Sequence, residues 1–387
     1  MSTILRVAAQ YNFTDYLWPD NITDNSFEAD QQPPMMEYYQ PLWLQVILAI
    51  LYACTSVLAV IGNLVVCYIV LGNPRMRTVT NYFIVNLAIS DILMAVLCVN
   101  LTFYYSINFH WPFGIVMCAL VMYIQMVSVS ISIFTLVAIS LDRYVAIIHP
   151  LRPRMTKRRA FIVIVVIWLL AGGISLPAAI NSKIETYPNS STISCSEQWA
   201  TDQQRSIYTI SLMIIQYFLP LLILSIAYSI IGYSIWGRKP PGERERHRDA
   251  RQAESKKKLV KMFALIVFIF AICYLPIHTF ILLLDHHPQI QMFHFIKVVY
   301  FAVHWTAMSN CVYNPFVYCW MNAKFRNGFR HVFRFLPCVH YTPKEKGPLR
   351  RVSTYTTHVD SFKMTLRKEN SVSRYSTSHG RNSMHYY

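Results

Sequence analysis

The chain has 387 residues, 54% hydrophobic and 14% charged, with a mean hydropathy of +0.33 and a formal net charge of +16. Soluble globular domains carry about 25% charged residues, so this composition excludes an ordinary soluble domain and points to a membrane protein. The positive balance does not indicate nucleic acid, because the cations sit in short clusters between apolar runs and form no stripe on a soluble fold.

Residues 1–41 form a polar, acidic tail with none of the basic, apolar and cleavage regions of a signal peptide. The first apolar run is therefore expected to act as its own insertion signal. A membrane-spanning helix needs roughly 20 mostly apolar residues. Seven stretches meet that need, at 42–71, 79–107, 114–148, 160–181, 206–236, 258–285 and 293–319. They make residues 42–320 an all-α, seven-transmembrane helix bundle.

Arg75 and Arg77, the cluster from Arg152 to Arg159, and the basic segment 237–257 fall in loops on one side, which the positive-inside rule makes cytoplasmic. The N-terminus is then outside and the C-terminus inside. The sequons at Asn12, Asn21 and Asn189 agree, since all three lie on the outer side as glycosylation sites.

Asp91 lies midway along the second span, where a carboxylate costs about 2.5–3.5 kcal/mol on insertion scales. It must face polar partners inside the bundle, and Asn63, Ser132, Asn310 and Asn314 are the candidates. Such a set suits a small hard cation or a bound proton, or a purely structural network. Pro220, Pro276 and Pro315 interrupt three further spans and free backbone carbonyls there.

Cys118 begins the third span and Cys195 lies in the outer loop 182–205. Both face the oxidising side and no other outer cysteine competes, so a disulfide is expected. After the seventh span, Phe325, Phe329 and Phe333 repeat four apart beside Arg326, Arg330 and Arg334. Residues 321–338 thus read as a short amphipathic helix on the cytoplasmic lipid surface, followed by Cys338 as a palmitoylation candidate. The tail 339–387 is rich in Ser and Thr, reads as disordered, and offers Ser353 and the cluster from Ser371 to Ser378 as phosphorylation sites. No enzyme motif is present in the sequence.

Several motifs now coincide in order. They are Gly62-Asn63, Asn86-Leu87-Ala88 with Asp91, Cys118, Asp142-Arg143-Tyr144, Trp168, Pro220 with Tyr228, Phe270 with Cys273 and Pro276, and Asn314-Pro315 with Tyr318. Over residues 42–338 the chain resembles the class A (rhodopsin-like) G-protein-coupled receptors of the plasma membrane. The resemblance implies agonist-controlled activation of a heterotrimeric G protein, with arrestin and receptor kinases acting through the tail. It makes Asp142, Arg143 and Tyr144 the inner switch, with Tyr228 and Tyr318 supporting its open state. It also makes Asp91, Ser132, Asn310 and Asn314 a site for an allosteric sodium ion. Two positions depart from the family. Tyr274 stands where a Trp is usual, and Lys256-Lys257-Lys258 stands where many members place an acidic partner for Arg143, leaving Asp142 to hold it at rest.

An amine receptor would carry Asp at position 125, which is Gln, and an opsin would carry Lys at position 308, which is Met. The finer similarity is to neuropeptide Y-like receptors of the RYamide and luqin branch, through "FHWPFG", Gln125 and "AMSNCVYNPFVYCWMNAKFR". That likeness implies an amidated Arg-Tyr or Arg-Phe peptide. Asp285 would hold its arginine, Gln125 its terminal amide, and Tyr274, Phe280 and His304 would wall the pocket. Acidic residues of the outer face, Glu185, Glu197 and Asp202 among them, would steer such a basic ligand inward. A tachykinin-like peptide is the alternative ligand. From a different class, an ion transporter using Asp91 is disfavoured by the lack of an internal repeat.

Overall fold

The computed structural model describes residues 41–186, 192–237, 246–287, 289–290, 293, 295–337 and 339. The glycosylation sequons' Asn12, Asn21 and Asn189, the palmitoylation candidate Cys338 and the phosphorylatable tail lie outside them. In chain order come α1 (Leu42–Gly72), α2 (Val79–Asn108), α3 (Gly114–Ile148), α4 (Lys157–Ile180) and a hairpin of β1 (Ser182–Thr186) and β2 (Ile193–Glu197). Then follow α5 (Asp202–Trp236), α6 (Arg246–His286), α7 (Ile296–Met321) and α8 (Ala323–Val332).

Four helix starts are set by side chains that accept a hydrogen bond from an otherwise unpaired first-turn amide. Thr78 does so for α2, Thr156 for α4, Thr201 for α5 and Asn322 for α8. Two helices run past their expected bounds. α6 begins at Arg246, well before the apolar run, and α5 at Asp202. α8 is shorter than expected, because its regular turns end at Val332.

Among the described residues, α1 to α6 are long and apolar enough to cross a membrane. The remaining span, α7, is as long but more polar, because His304, Ser309, Asn310 and Asn314 are all buried on it. Those groups face protein, so α7 needs less apolar surface than a helix bathed in lipid. The outward apolar residues, such as Leu58, Leu64, Leu169, Leu170 and Ile226, are exposed and form the lipid-facing belt. Among the described residues, the short hairpin is the one departure from an all-α fold. β1 and β2 pair antiparallel, with Ile184 opposite Cys195.

Inside the bundle, backbone carbonyls at or near helix irregularities accept hydrogen bonds from side chains of neighbouring helices. Pro315 has no amide hydrogen for the carbonyl of Cys311, and the Asn63 side chain donates to that oxygen at 2.9 Å. Gly62 makes this approach possible, since a Cβ there would stand 3.0 Å from Pro315 Cγ. Before Pro276, the Tyr217 hydroxyl donates to the Ala271 carbonyl at 2.8 Å. α2 carries a wide π turn at Met94–Val99, into which Ser56 of α1 donates at the Ala95 carbonyl, 3.0 Å away. A second π turn, Ile214–Phe218, lies just before Pro220 in α5.

Asn86 joins three helices. It donates to Thr135 of α3 at 2.8 Å and accepts from the Trp168 indole of α4 at 2.8 Å. Replacing Asn86 by Ala should strip both partners and lower stability by about 1 kcal/mol, the scale of interhelical bonds in membranes. A lowered apparent Tm of the detergent-solubilised protein checks this, and Trp168→Phe, losing one of the two bonds, should lower it less.

Candidate functional site

At the outer end, the Cys118–Cys195 disulfide forms and ties β2 to the start of α3. The "FHWPFG" segment anchors the same hairpin. The Trp111 amide donates to the Ile193 carbonyl at 2.8 Å, the Ile193 amide donates to His110 Nδ1 at 3.2 Å, and Trp111 is fully buried. Tyr105 meets Ser194 Oγ at 2.9 Å and accepts from the Cys195 amide at 3.0 Å. Phe109 adopts a left-handed backbone with φ of 53°, strained for a bulky residue, and its ring lies 4.3 Å beneath Lys297 Nζ of α7. The hairpin is therefore held in place over the mouth of the bundle.

Of the five expected ligand contacts, two share one aromatic cluster. His304 Nδ1 lies 2.8 Å from the Tyr52 hydroxyl, and its ring stacks on Tyr300 at 5.3 Å. Phe280 meets the same Tyr300 ring at 6.2 Å. Tyr274 lies in a second group with Phe270, His278 and Tyr217, whose rings follow at 4.6, 6.3 and, from Tyr217 to His278, 4.7 Å. Gln125 is half-buried on α3 and belongs to neither cluster.

Asp285 ends α6 with its side chain only 6% exposed, and its Oδ1 accepts from Arg205 Nη2 of α5 at 3.3 Å. Sequence reasoning missed Arg205, along with Tyr52, Tyr300, His278 and Tyr217. The available signal for Arg205 was its rarity: the outer face carries few cations among many acids.

At mid-membrane, Asp91 is 3% exposed and accepts one hydrogen bond, from Asn314 Nδ2 at 2.8 Å. Ser132 does not reach it, because its hydroxyl is paired with Ser90 at 3.1 Å. Asn310 is buried but makes no hydrogen bond to Asp91 among the described residues. No cationic side chain pairs with Asp91 among the described residues.

At the inner end, Arg143 pairs with Asp142, donating from both Nε (3.2 Å) and Nη2. Thr80 of α2 donates to the same carboxylate oxygen at 3.5 Å. Tyr144 points elsewhere and meets His149 edge-on at 6.0 Å. The hydroxyl of Tyr318 is buried with no partner among the described residues, and that of Tyr228 lies buried beside the Ser140 hydroxyl. The Lys256 side chain lies outside those residues. Glu254, which precedes the membrane-spanning part of α6, accepts from Lys258 at 2.8 Å, which holds its carboxyl below the ordinary range. Both side chains are exposed, so this pair contributes little to stability.

The seven-transmembrane receptor family of the rhodopsin type matches residues 62–318. The tachykinin-like peptides receptor 99D of Drosophila melanogaster is 42% identical over 315 residues, covering 79% of this chain but only 60% of that receptor. The RYamide receptor of the same fly is 40% identical over 359 residues, 87% of this chain and 77% of its own. The RYamide receptor of Tribolium castaneum is 43% identical over 300 residues, 75% of this chain and 81% of its own.

Tyr318→Phe removes a buried hydroxyl that has no partner, a group whose desolvation costs about 1–3 kcal/mol. The variant is expected to raise the apparent Tm of the ligand-free protein, and an unchanged or lowered Tm would count against this reading.

Proposed function

The chain belongs to the seven-transmembrane receptor (rhodopsin) family, and we propose that it is a cell-surface receptor for an amidated peptide ending in Arg-Tyr or Arg-Phe. The observation that carries the ligand class is Asp285, a nearly buried carboxylate at the outer end of α6 that already holds a guanidinium. A site that accepts one guanidinium has the charge and shape for another. Both aromatic clusters include residues of α6, Phe280 in one and Phe270, Tyr274 and His278 in the other, and they supply apolar walls for the peptide's terminal ring. Gln125 on α3 has an amide suited to the peptide's terminal carboxamide. The identity to RYamide receptors supports this ligand class. The comparable identity to a tachykinin-like receptor keeps a tachykinin-like peptide as the second reading.

The disulfide-bonded hairpin lies at the start of α3, and the cationic loop from Arg152 to Arg159 follows its end. This polarity supports an outer N-terminus and an inner face carrying Asp142 and Arg143. There the receptor engages a heterotrimeric G protein. In the resting state Asp142 neutralises Arg143, and the active state turns Arg143 toward the G protein while Tyr228 and Tyr318 gain partners. Arrestin and receptor kinases act through the tail, and α8 turns its Arg residues toward the lipid surface, while Phe325, expected on that lipid face, is buried against the bundle with Phe329 and Phe333 packed beside it. A buried carboxylate with a single amide donor also carries charge that the low-dielectric interior leaves unbalanced. Asp91 and Asn314 therefore fit a sodium ion, which would supply that balance and favour the resting state.

Synthetic amidated peptides ending in Arg-Tyr or Arg-Phe should activate G-protein signalling in cells expressing the chain at nanomolar concentrations. Activation by tachykinin-type peptides alone would transfer the assignment to the second reading. Asp142→Asn is expected to raise ligand-independent nucleotide exchange in membranes. Replacing sodium by N-methylglucamine should increase agonist affinity in the wild type, and the gain should vanish in Asp91→Asn. An equal gain in that variant would remove Asp91 as the sodium ligand.

A further inference from the structure

The pair at the outer ends of α5 and α6 has an unusual make-up. Arg205 stands in the first turn of α5, Asp285 in the last turn of α6, and their side chains are 16% and 6% exposed. Well-formed guanidinium–carboxylate pairs are commonly bidentate, with contacts of about 2.7–2.9 Å. Here a single contact spans 3.3 Å, and the Arg205 Nε is buried with no hydrogen-bond partner among the described residues. The pair therefore neutralises Asp285 while using little of what either group can bond.

We infer that Arg205 is an internal competitor for the ligand: its guanidinium occupies Asp285 in the free receptor and is displaced by the arginine of the bound peptide. The inference rests on Asp285 being the acceptor of the peptide's arginine. A flexible peptide arginine can approach face-on and make two short bonds where Arg205 makes one long one. The exchange replaces one cation by another, so the nearly buried carboxylate is never left bare, a state that is strongly unfavourable. Asp202, exposed and three residues earlier on the same helix, offers the released Arg205 a second carboxylate at a helical spacing that brings side chains together. Arg205 thereby sets the affinity of the receptor for arginine-bearing peptides below what Asp285 alone would give. It does not act on peptides that lack the charge, because these leave the internal pair intact.

The test uses the full-length receptor in membranes, a radiolabelled synthetic peptide ending in Arg-Tyr-amide, and its twin with neutral citrulline in place of arginine. Surface expression is measured in parallel. Arg205→Gln should raise the affinity of the arginine peptide on the order of tenfold and leave the citrulline peptide unchanged. Arg205→Lys, a weaker competitor, should fall between wild type and Gln and serves if the Gln variant fails to reach the surface. In Asp285→Ala the two peptides should bind alike, and adding Arg205→Gln should change nothing further, since the competitor then has nothing to compete for. If Asp285→Ala erases the arginine preference but Arg205→Gln and Arg205→Lys leave affinity unchanged or lower it, the competitor role is overturned and the ligand reading stands. If the arginine preference survives Asp285→Ala, or if neither peptide binds any form, the ligand reading falls and the competitor role falls with it.

Discussion

Pro315 cannot donate to the carbonyl of Cys311, and in the interior of a membrane bundle only another protein group can take its place. Asn63 does so from α1, at 2.9 Å. The contact requires α1 and α7 to meet closely, which is why the residue before Asn63 is a glycine lying against the proline ring. Two further irregularities are met in the same way. Tyr217 of α5 bonds to the Ala271 carbonyl near Pro276, and Ser56 of α1 answers the widened turn of α2. These three irregularities thus become tethers to another helix. A bundle tied together at its kinks can exchange one set of tethers for another without exposing backbone to lipid.

Two polar centres lie along that bundle with bonding capacity to spare. Among the described residues, Asp91 accepts only from Asn314, and the hydroxyl of Tyr318 is buried without a partner. Arg143 is held by the carboxylate beside it in sequence, a partner it keeps only while its side chain folds back along α3. Unsatisfied buried groups cost free energy in the state that leaves them so. They bias the resting arrangement toward any rearrangement that supplies partners, the property a two-state switch needs. The ring of Tyr318 also packs on Phe325 of α8 at 5.4 Å. Movement of α7 is therefore felt at the lipid surface, where Gly328 lets α8 lie close against Ile69 of α1.

The outer end is organised differently. There rigidity comes from a covalent bond and from aromatic packing: the disulfide, Trp111, Tyr105 and the Phe109–Lys297 contact hold the hairpin and the α2–α3 turn as one piece. Trp199 extends this support toward α5, donating to Glu197 at 3.2 Å and packing on Tyr208 at 4.8 Å. Against that fixed frame, the Arg205–Asp285 pair is loosely bonded and joins two helices by a single contact.

The sequence by itself determined the helical spans, the disulfide and the family motifs. These depend on local hydropathy or on residues in fixed register along one helix. The site residues were legible one at a time: Asp285 and Asp91 stand out because a carboxylate in or beside an apolar run needs a reason. What each of them touches was not legible. Arg205 and Asp285 are 80 residues apart, and Ser132 spends its hydroxyl on Ser90 instead of Asp91 because of how α2 and α3 pack. The β1–β2 hairpin and the π turn of α2 likewise have no local signal, since pairing partners across the fold stabilise them. Only the tertiary structure decided these points, because a hydrogen bond or ion pair depends on distances of a fraction of an ångström between helices, and hydropathy carries no information at that scale.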